Sequence, residues 1–178
     1  MVRILFFGTA DISKPFLERL IVDKHTVLCI TKPDKPADRG QKIKIPAVKL
    51  LSQQFSIPFI QVEQWTPEIL DEIRAFEPDL GIAVAFGKIL PENVFNLPKF
   101  GTVNIHFSLL PKFRGAAPVQ YALLKGESET GVTVFYVEKE LDTGPILVRQ
   151  SLEIDKMDNL KTLFEKLVPL GLEAMAET

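Results

Sequence analysis

Apolar positions in this chain fall into two kinds of segment, short unbroken runs and longer stretches at helical spacing, and the two kinds alternate. Val2 to Phe7 is a short apolar run that ends at Gly8. From Asp11 to Lys24 the apolar residues Ile12, Phe16, Leu20 and Ile21 recur at helical spacing. The pattern predicts a buried strand feeding an amphipathic helix, with Pro15 tolerated near the first turn. Thr26 to Thr31 reads as a second strand and leads into a polar loop from Lys32 to Lys44, rich in Lys, Asp and Pro. Beyond it come a helix from about Pro46 to Phe55, a short strand from Pro58 to Gln61, and a helix from about Pro67 to Phe76 whose proline suits its first turn. Leu80 to Ala85 is apolar on both faces, as strands in helix-covered parallel sheets are. A further cycle holds a short helix near Lys88 to Phe95, a strand from Thr102 to His106 and a helix from about Pro118 to Lys125. Gly131 to Glu138 and Ile146 to Ile154 predict two strands turned by Leu141-Asp142-Thr143-Gly144-Pro145. Asn159 to about Glu177 predicts a final helix, broken or kinked by Pro169.

The alternation predicts an α/β fold: a doubly wound, Rossmann-like mixed sheet, mostly parallel, with helices on both faces and the late hairpin as its antiparallel part. Ligands of such sheets sit beyond the carboxyl ends of strands. His106 ends one strand and Phe86-Gly87 follows another, so both are expected to line one crevice.

Composition narrows the function classes. The 178 residues, 46% hydrophobic and 25% charged, suffice for one well-buried globular domain. The 21 basic and 23 acidic side chains nearly cancel, so any contact with nucleic acid must come from a local patch. Cys29 is the only cysteine, which excludes an internal disulfide and a cysteine-based metal cluster; it reads as a small core residue. The apolar run at the N-terminus is too short for a signal peptide and nothing later approaches membrane-span length, so a cytoplasmic protein without a membrane partner is expected.

Candidate chemistry centres on Asn104, His106 and Asp142. On a strand, Asn104 and His106 emerge on the same face. Imidazole is the usual general acid–base group near neutral pH. An amide beside it can donate to a developing oxyanion, a contact worth about 3 kcal/mol in the transition state. Asp142, in a loop with Gly144, would orient the ring and favour the imidazolium if it lies close. The trio suits acyl transfer or hydrolysis without a covalent intermediate, since no cysteine nucleophile is on offer and Ser108 is not in a nucleophile elbow. A lone histidine at a strand end is more often a hydrogen-bonded structural residue, and Asn104 alone could be a turn former. Spacing by itself therefore leaves the function open. His25 has no acidic or cysteine partner at metal-ligand spacing and is read as structural, and no metal site is expected. Gly8-Thr9-Ala10-Asp11 opens the first helix but lacks the further glycines of a dinucleotide fingerprint.

Beyond spacing, the chain resembles the folate-dependent formyltransferases, and among them the catalytic domain of the methionyl-tRNA formyltransferases, over nearly its whole length. The resemblance is carried by Phe7 to Ala10, the Thr31 to Gly40 segment, Val84-Ala85-Phe86-Gly87-Lys88-Ile89-Leu90-Pro91, the Asn104 to Pro118 block, Glu129 to Thr133, and Leu141-Asp142-Thr143-Gly144. The central block and the Asp-Thr-Gly turn are common to the folate formyltransferases. The polar loop and Arg114-Gly115-Ala116-Ala117-Pro118 point to the tRNA enzymes.

The resemblance implies transfer of the formyl group of 10-formyltetrahydrofolate to the α-amino group of initiator methionyl-tRNA, with Asn104, His106 and Asp142 as catalytic residues. It further implies folate contacts from Ser108, Leu109, Leu110 and Pro111 and from Phe86, Gly87, Ile89 and Leu90. For tRNA it implies contacts from Lys35, Arg39, Lys42, Lys44 and Arg114, in a monomer by default. Residues 1–178 correspond to the catalytic domain, and the C-terminal β-barrel tRNA-binding domain of the family is absent from this sequence. Two departures stand out: Phe107 replaces a small residue and is expected to narrow or reshape the folate site, and Phe86 stands where tyrosine is common. Two alternatives share the same features. One is a formyltransferase for a small amine, such as glycinamide ribonucleotide or an amino sugar nucleotide; the other is a folate-binding module without catalysis.

Overall fold

A computed structural model describes residues 1–36 and 43–178. The chain packs as two compact units, Met1–Thr102 and Val103–Thr178.

In the first unit, β1 (Arg3–Gly8), β2 (Thr26–Thr31), β5 (Phe59–Gln61) and β6 (Leu80–Val84) pair in parallel in the order β5-β2-β1-β6. Phe6 sits opposite both Cys29 and Ile82, and Ile30 opposite Ile60. After their first residues, β1 and β2 are buried throughout, and β6 nearly so, because helices cover a parallel sheet on both faces. A short 3₁₀ turn, Asp11–Ser13, precedes α1 (Lys14–Val22), which buries Phe16, Leu17 and Leu20. α2 (Ala47–Gln54) buries Val48 and Leu51, and α3 (Pro67–Phe76) buries Leu70 and Ile73. The last helix of this unit, α4, covers only Glu92–Phe95, less than the Lys88 to Phe95 segment predicted.

The order β5-β2-β1-β6 means that the chain adds β2 and then β5 on one side of β1 before returning to its other side with β6. Such a reversal opens a crevice at the carboxyl ends of the two strands that flank it. Here those ends lead into Gly8-Thr9 and Ala85-Phe86-Gly87. Of the polar loop's described residues, β3 (Lys35–Pro36) and β4 (Ile43–Lys44) form a two-stranded antiparallel ladder.

The second unit begins within β7 (Thr102–His106) and is antiparallel: β7 pairs with β8 (Glu129–Tyr136), and β8 with β9 (Ile146–Glu153). α5 spans Pro118–Leu124 and α6 Leu160–Ala176. β8 starts earlier than predicted, at Glu129, and a register shift opposite Val134/Phe135 leaves Leu147 as the extra residue of a bulge. Gly131 in β8 has no room for a side chain, since a Cβ there would lie 2.0 Å from the Gln150 carbonyl oxygen.

α6 contradicts the break predicted at Pro169, because it runs through that residue as one helix. Pro169 and Glu165, whose carbonyl loses its N–H partner, are both exposed, so water can satisfy the freed oxygen. The buried stripe Leu163, Leu167, Gly171 and Ala174 continues across the proline, and its packing outweighs the local penalty.

Candidate active site

Strand β7 presents Asn104 and His106 on one face, with Val103 and Ile105 alternating to the other. The His106 ring is buried, edge-on to Phe135 with centroids 6.4 Å apart. Its Nε2 lies 2.9 Å from the Phe113 carbonyl oxygen. A carbonyl only accepts, so Nε2 carries a proton and donates it, and the nitrogen left for other chemistry is Nδ1.

Nδ1 faces the Asp142 carboxylate at 3.8 Å, too far for a direct hydrogen bond. The same carboxylate oxygen, Oδ2, accepts the Gly115 backbone N–H at 2.6 Å. Asp142 is buried and has φ of 53°, a left-handed conformation that Asp tolerates better than most residues. Its loop is anchored at Gly144, where a Cβ would lie 1.8 Å from the Tyr136 carbonyl oxygen. The Asn104 amide is half-buried and makes no hydrogen bond among the described residues. The three residues named from sequence thus divide into a fixed pair, His106 and Asp142, and an amide free to bind a ligand.

One loop holds the pair in place. Phe113, Gly115 and Ala117 have φ values of 57°, 86° and 62°, so this loop carries two strained non-glycine residues in a short span. The strain turns the Phe113 carbonyl toward His106 and the Gly115 N–H toward Asp142. Both contacts are made by main-chain atoms, which a search for reactive side chains passes over. The sequence signal was the Arg114-Gly115-Ala116-Ala117-Pro118 run itself, whose role lies in its backbone as well as in Arg114.

Ser108 to Pro111 forms a braced turn. Ser108 Oγ donates to the Lys112 carbonyl at 2.6 Å, and Thr133 Oγ1 donates to the Ser108 carbonyl at 2.7 Å while accepting the Leu110 N–H at 3.1 Å. Arg149 donates to the Leu110 carbonyl at 3.2 Å, and the Leu110–Pro111 peptide is cis. Ser108 and Leu110 are buried, so the parts of this segment open to a ligand are Leu109 and Pro111. Phe107 turns away from the function expected of it: its ring is buried edge-on against Phe164 of α6, at 5.9 Å, and is part of the core of this unit.

In the first unit, Phe86 is also a core residue, packed edge-on to Phe7 at 5.7 Å and beside Trp65 at 6.4 Å. This explains why a ring without a hydroxyl is accepted there. Ala85 and Gly87, with φ of 46° and 71°, bend the chain on either side of it. Leu90 is nearly covered, whereas Ile89 is 79% exposed, an apolar side chain open to a flat ligand. Lys35 and Lys44 are exposed and directly opposite each other across β3 and β4. Arg39 and Lys42 lie outside the described residues, and Arg114 is exposed in its loop. His25 is structural, its Nδ1 accepting the Val2 N–H at 3.3 Å. Burial pushes the Cys29 thiol up to about 12, which keeps it inert at neutral pH.

No helix among the described residues is long and apolar enough to cross a membrane. A protein of Endomicrobium trichonymphae called methionyl-tRNA formyltransferase is 51% identical over 99% of this chain and 57% of its own length. One of the same name from Staphylococcus aureus is 40% identical over 100% of this chain and 58% of its own length. The chain therefore spans a little over half the length of these curated relatives. Among solved structures, phosphoribosylglycinamide formyltransferase from Bacillus halodurans superposes with a TM-score of 0.79 at 23% identity, covering 96% of this chain and 90% of that one. Glycinamide ribonucleotide transformylase 1 from Geobacillus kaustophilus gives 0.80 at 22% identity over the whole of both chains. These likenesses establish the α/β, mostly parallel fold that the alternation of segments predicts. Residues 2–178 match the formyl transferase family, and the chain belongs to that family.

Proposed function

We propose that this chain is the catalytic domain of an enzyme that moves the formyl group of 10-formyltetrahydrofolate to the α-amino group of initiator methionyl-tRNA, in the cytoplasm and as a monomer. The observation that carries the reading is the unengaged Asn104 amide on the same strand face as a His106 ring whose Nε2 and neighbouring carboxylate are both fixed by one loop. That arrangement is preorganised for an oxyanion and a mobile proton, the two requirements of acyl transfer. The names of the relatives support methionyl-tRNA as the acceptor.

In the reaction the free amine attacks the formyl carbon, a C–N bond forms, and the carbonyl oxygen becomes an oxyanion. Asn104 donates its amide N–H to that oxygen, and His106 offers Nδ1, the ring nitrogen not engaged by Phe113. The bond from the formyl carbon to the folate nitrogen then breaks. One proton leaves the amine and one arrives at the departing nitrogen, and Asp142 beside Nδ1 relays it, with Gly115 keeping the carboxylate in register. The folate contacts proposed for this reaction are Gly87, Ile89 and Leu90, and Leu109 and Pro111. Lys35, Arg39, Lys42, Lys44 and Arg114 are the cations offered to tRNA.

The test is to offer the purified chain 10-formyltetrahydrofolate with initiator methionyl-tRNA, glycinamide ribonucleotide and an amino sugar nucleotide in separate reactions. Formylation of methionyl-tRNA is expected. Transfer to a small amine alone would replace the acceptor and keep the chemistry, and folate binding without any transfer would overturn the enzymatic reading.

A further inference from the structure

His106, Thr133 and Arg149 stand in one row across the second unit's sheet, His106 paired with Thr133 between β7 and β8 and Thr133 with Arg149 between β8 and β9. Residues directly opposite in an antiparallel pair put their side chains on the same face, so all three emerge on the face that carries Asn104. The chain leaves β7 at His106 and passes back over this row as the Ser108 to Pro111 turn.

Thr133 is fully buried, and its one hydroxyl serves two groups of the turn, donating to the Ser108 carbonyl at 2.7 Å and accepting the Leu110 N–H at 3.1 Å. Arg149 takes the next group along, donating to the Leu110 carbonyl at 3.2 Å. It makes no ion pair and no other hydrogen bond among the described residues, so this cation is spent on main chain rather than on an acid. From the turn the linkage continues to the imidazole. Ser108 Oγ donates to the Lys112 carbonyl at 2.6 Å and the Lys112 N–H to the Leu109 carbonyl at 3.0 Å. The carbonyl of the next residue, Phe113, accepts the His106 Nε2 proton at 2.9 Å. Hydrogen bonds and short main-chain steps thus connect β9, through β8 and the turn, to the ring of His106. Buried polar groups held this way resist displacement, because a shifted turn would leave the Ser108 carbonyl and the Leu110 N–H without partners.

We infer that Thr133 and Arg149 are positioning residues for the proposed reaction. Acting through the main chain of Ser108 to Pro111, they set where Leu109 and Pro111 meet the folate and hold the Phe113 carbonyl against His106 Nε2. Neither is assigned a contact with the reacting atoms. The folate half of the inference rests on the reading proposed above; the fixing of the His106 ring does not.

The test compares the unmodified chain with Arg149→Met, Arg149→Lys, Thr133→Val and Thr133→Ser by two readouts. The first is solvent exchange of the His106 Nε2 proton in the ligand-free protein, followed by NMR. Loss of one hydrogen bond to the turn should speed it about three- to tenfold in Arg149→Met and Thr133→Val, with the backbone amides of β8 unchanged. The second is binding of 10-formyltetrahydrofolate by calorimetry, which the same two variants should weaken about three- to tenfold. Arg149→Lys and Thr133→Ser should restore both, since the turn takes one donor from each residue and lysine and serine still supply one. If Thr133→Val does not fold, the exposed Arg149 carries the comparison. Where the unmodified chain binds the folate, either readout unchanged in Arg149→Met overturns the inference, and a lower melting temperature alone would make the residue merely structural. Failure of the conservative variants to restore the readouts would assign the effect to lost packing and also overturn it. If the unmodified chain binds no folate while ring exchange responds as stated, the folate reading fails and the positioning of His106 stands. If it binds and transfers the formyl group while neither readout responds, the reaction stands and the positioning fails.

Discussion

His106 is defined by what surrounds it. With Nε2 donating to the Phe113 carbonyl, the ring faces Asp142 through Nδ1, the nitrogen assigned to the proposed reaction. Asp142→Asn keeps an oxygen for the Gly115 N–H but removes the charge beside Nδ1, so folding should be retained while formyl transfer falls. Single-turnover transfer by this variant should fall with KM for the folate little changed. Asn104→Ala should lower single-turnover transfer about 100- to 1,000-fold, the cost of one oxyanion donor, without weakening acceptor binding. The shared face of Asn104 and His106 was legible from their strand spacing, whereas the roles proposed for them and for Asp142 came from the family resemblance. Phe113 and Gly115 were not legible, because they act through a carbonyl and an N–H that nearly every residue possesses.

Among the elements, α6 and the β8–β9 pair carry the second unit. The alternation of apolar segments revealed most of their extent, because strand and helix periods differ. It allowed a break as well as a kink at Pro169, and the structure overturns the break, since the solvent exposure of Glu165 and the buried stripe on the opposite face become visible only once α6 is packed. Pro169→Ala should stabilise the protein by up to about 3 kcal/mol, read from denaturant unfolding, by restoring the missing hydrogen bond. Gly131→Ala should be strongly destabilising, because its Cβ has no space against Gln150. The start of α6 has a pH-dependent fastening. Hydrogen bonding from Lys166 holds the Asp158 carboxyl below its ordinary value of 3.8, and Asp155 and Asp158 raise Lys166 above 10.5. The Asp158 contribution is present above about pH 4 and lost as pH falls through its depressed value, whereas that of Lys166 is present below about pH 10.5 and lost as pH rises through its elevated value. Asp158→Asn should therefore lower the melting temperature at about pH 7 and have little effect at about pH 2.

At the level of the whole molecule, the sequence announced an α/β protein through its alternating segments, and the match of residues 2–178 to the formyl transferase family agrees with that reading. The resemblance, rather than charge or composition, pointed to the proposed acceptor: a formal net charge of −2 gives no hint of the RNA partner proposed for it. Among the described residues, Lys32 has Lys35 and Lys88 as neighbours, Lys35 stands opposite Lys44, and Asp34 is turned to Lys49. The most direct measurement is single-turnover formyl transfer from 10-formyltetrahydrofolate to initiator methionyl-tRNA by the purified chain, run beside His106→Ala. Transfer by the unmodified chain, reduced at least about 100-fold in the variant with its fold intact, is the predicted result. Equal rates in the two proteins would contradict the assignment of the reaction to the Asn104, His106 and Asp142 face.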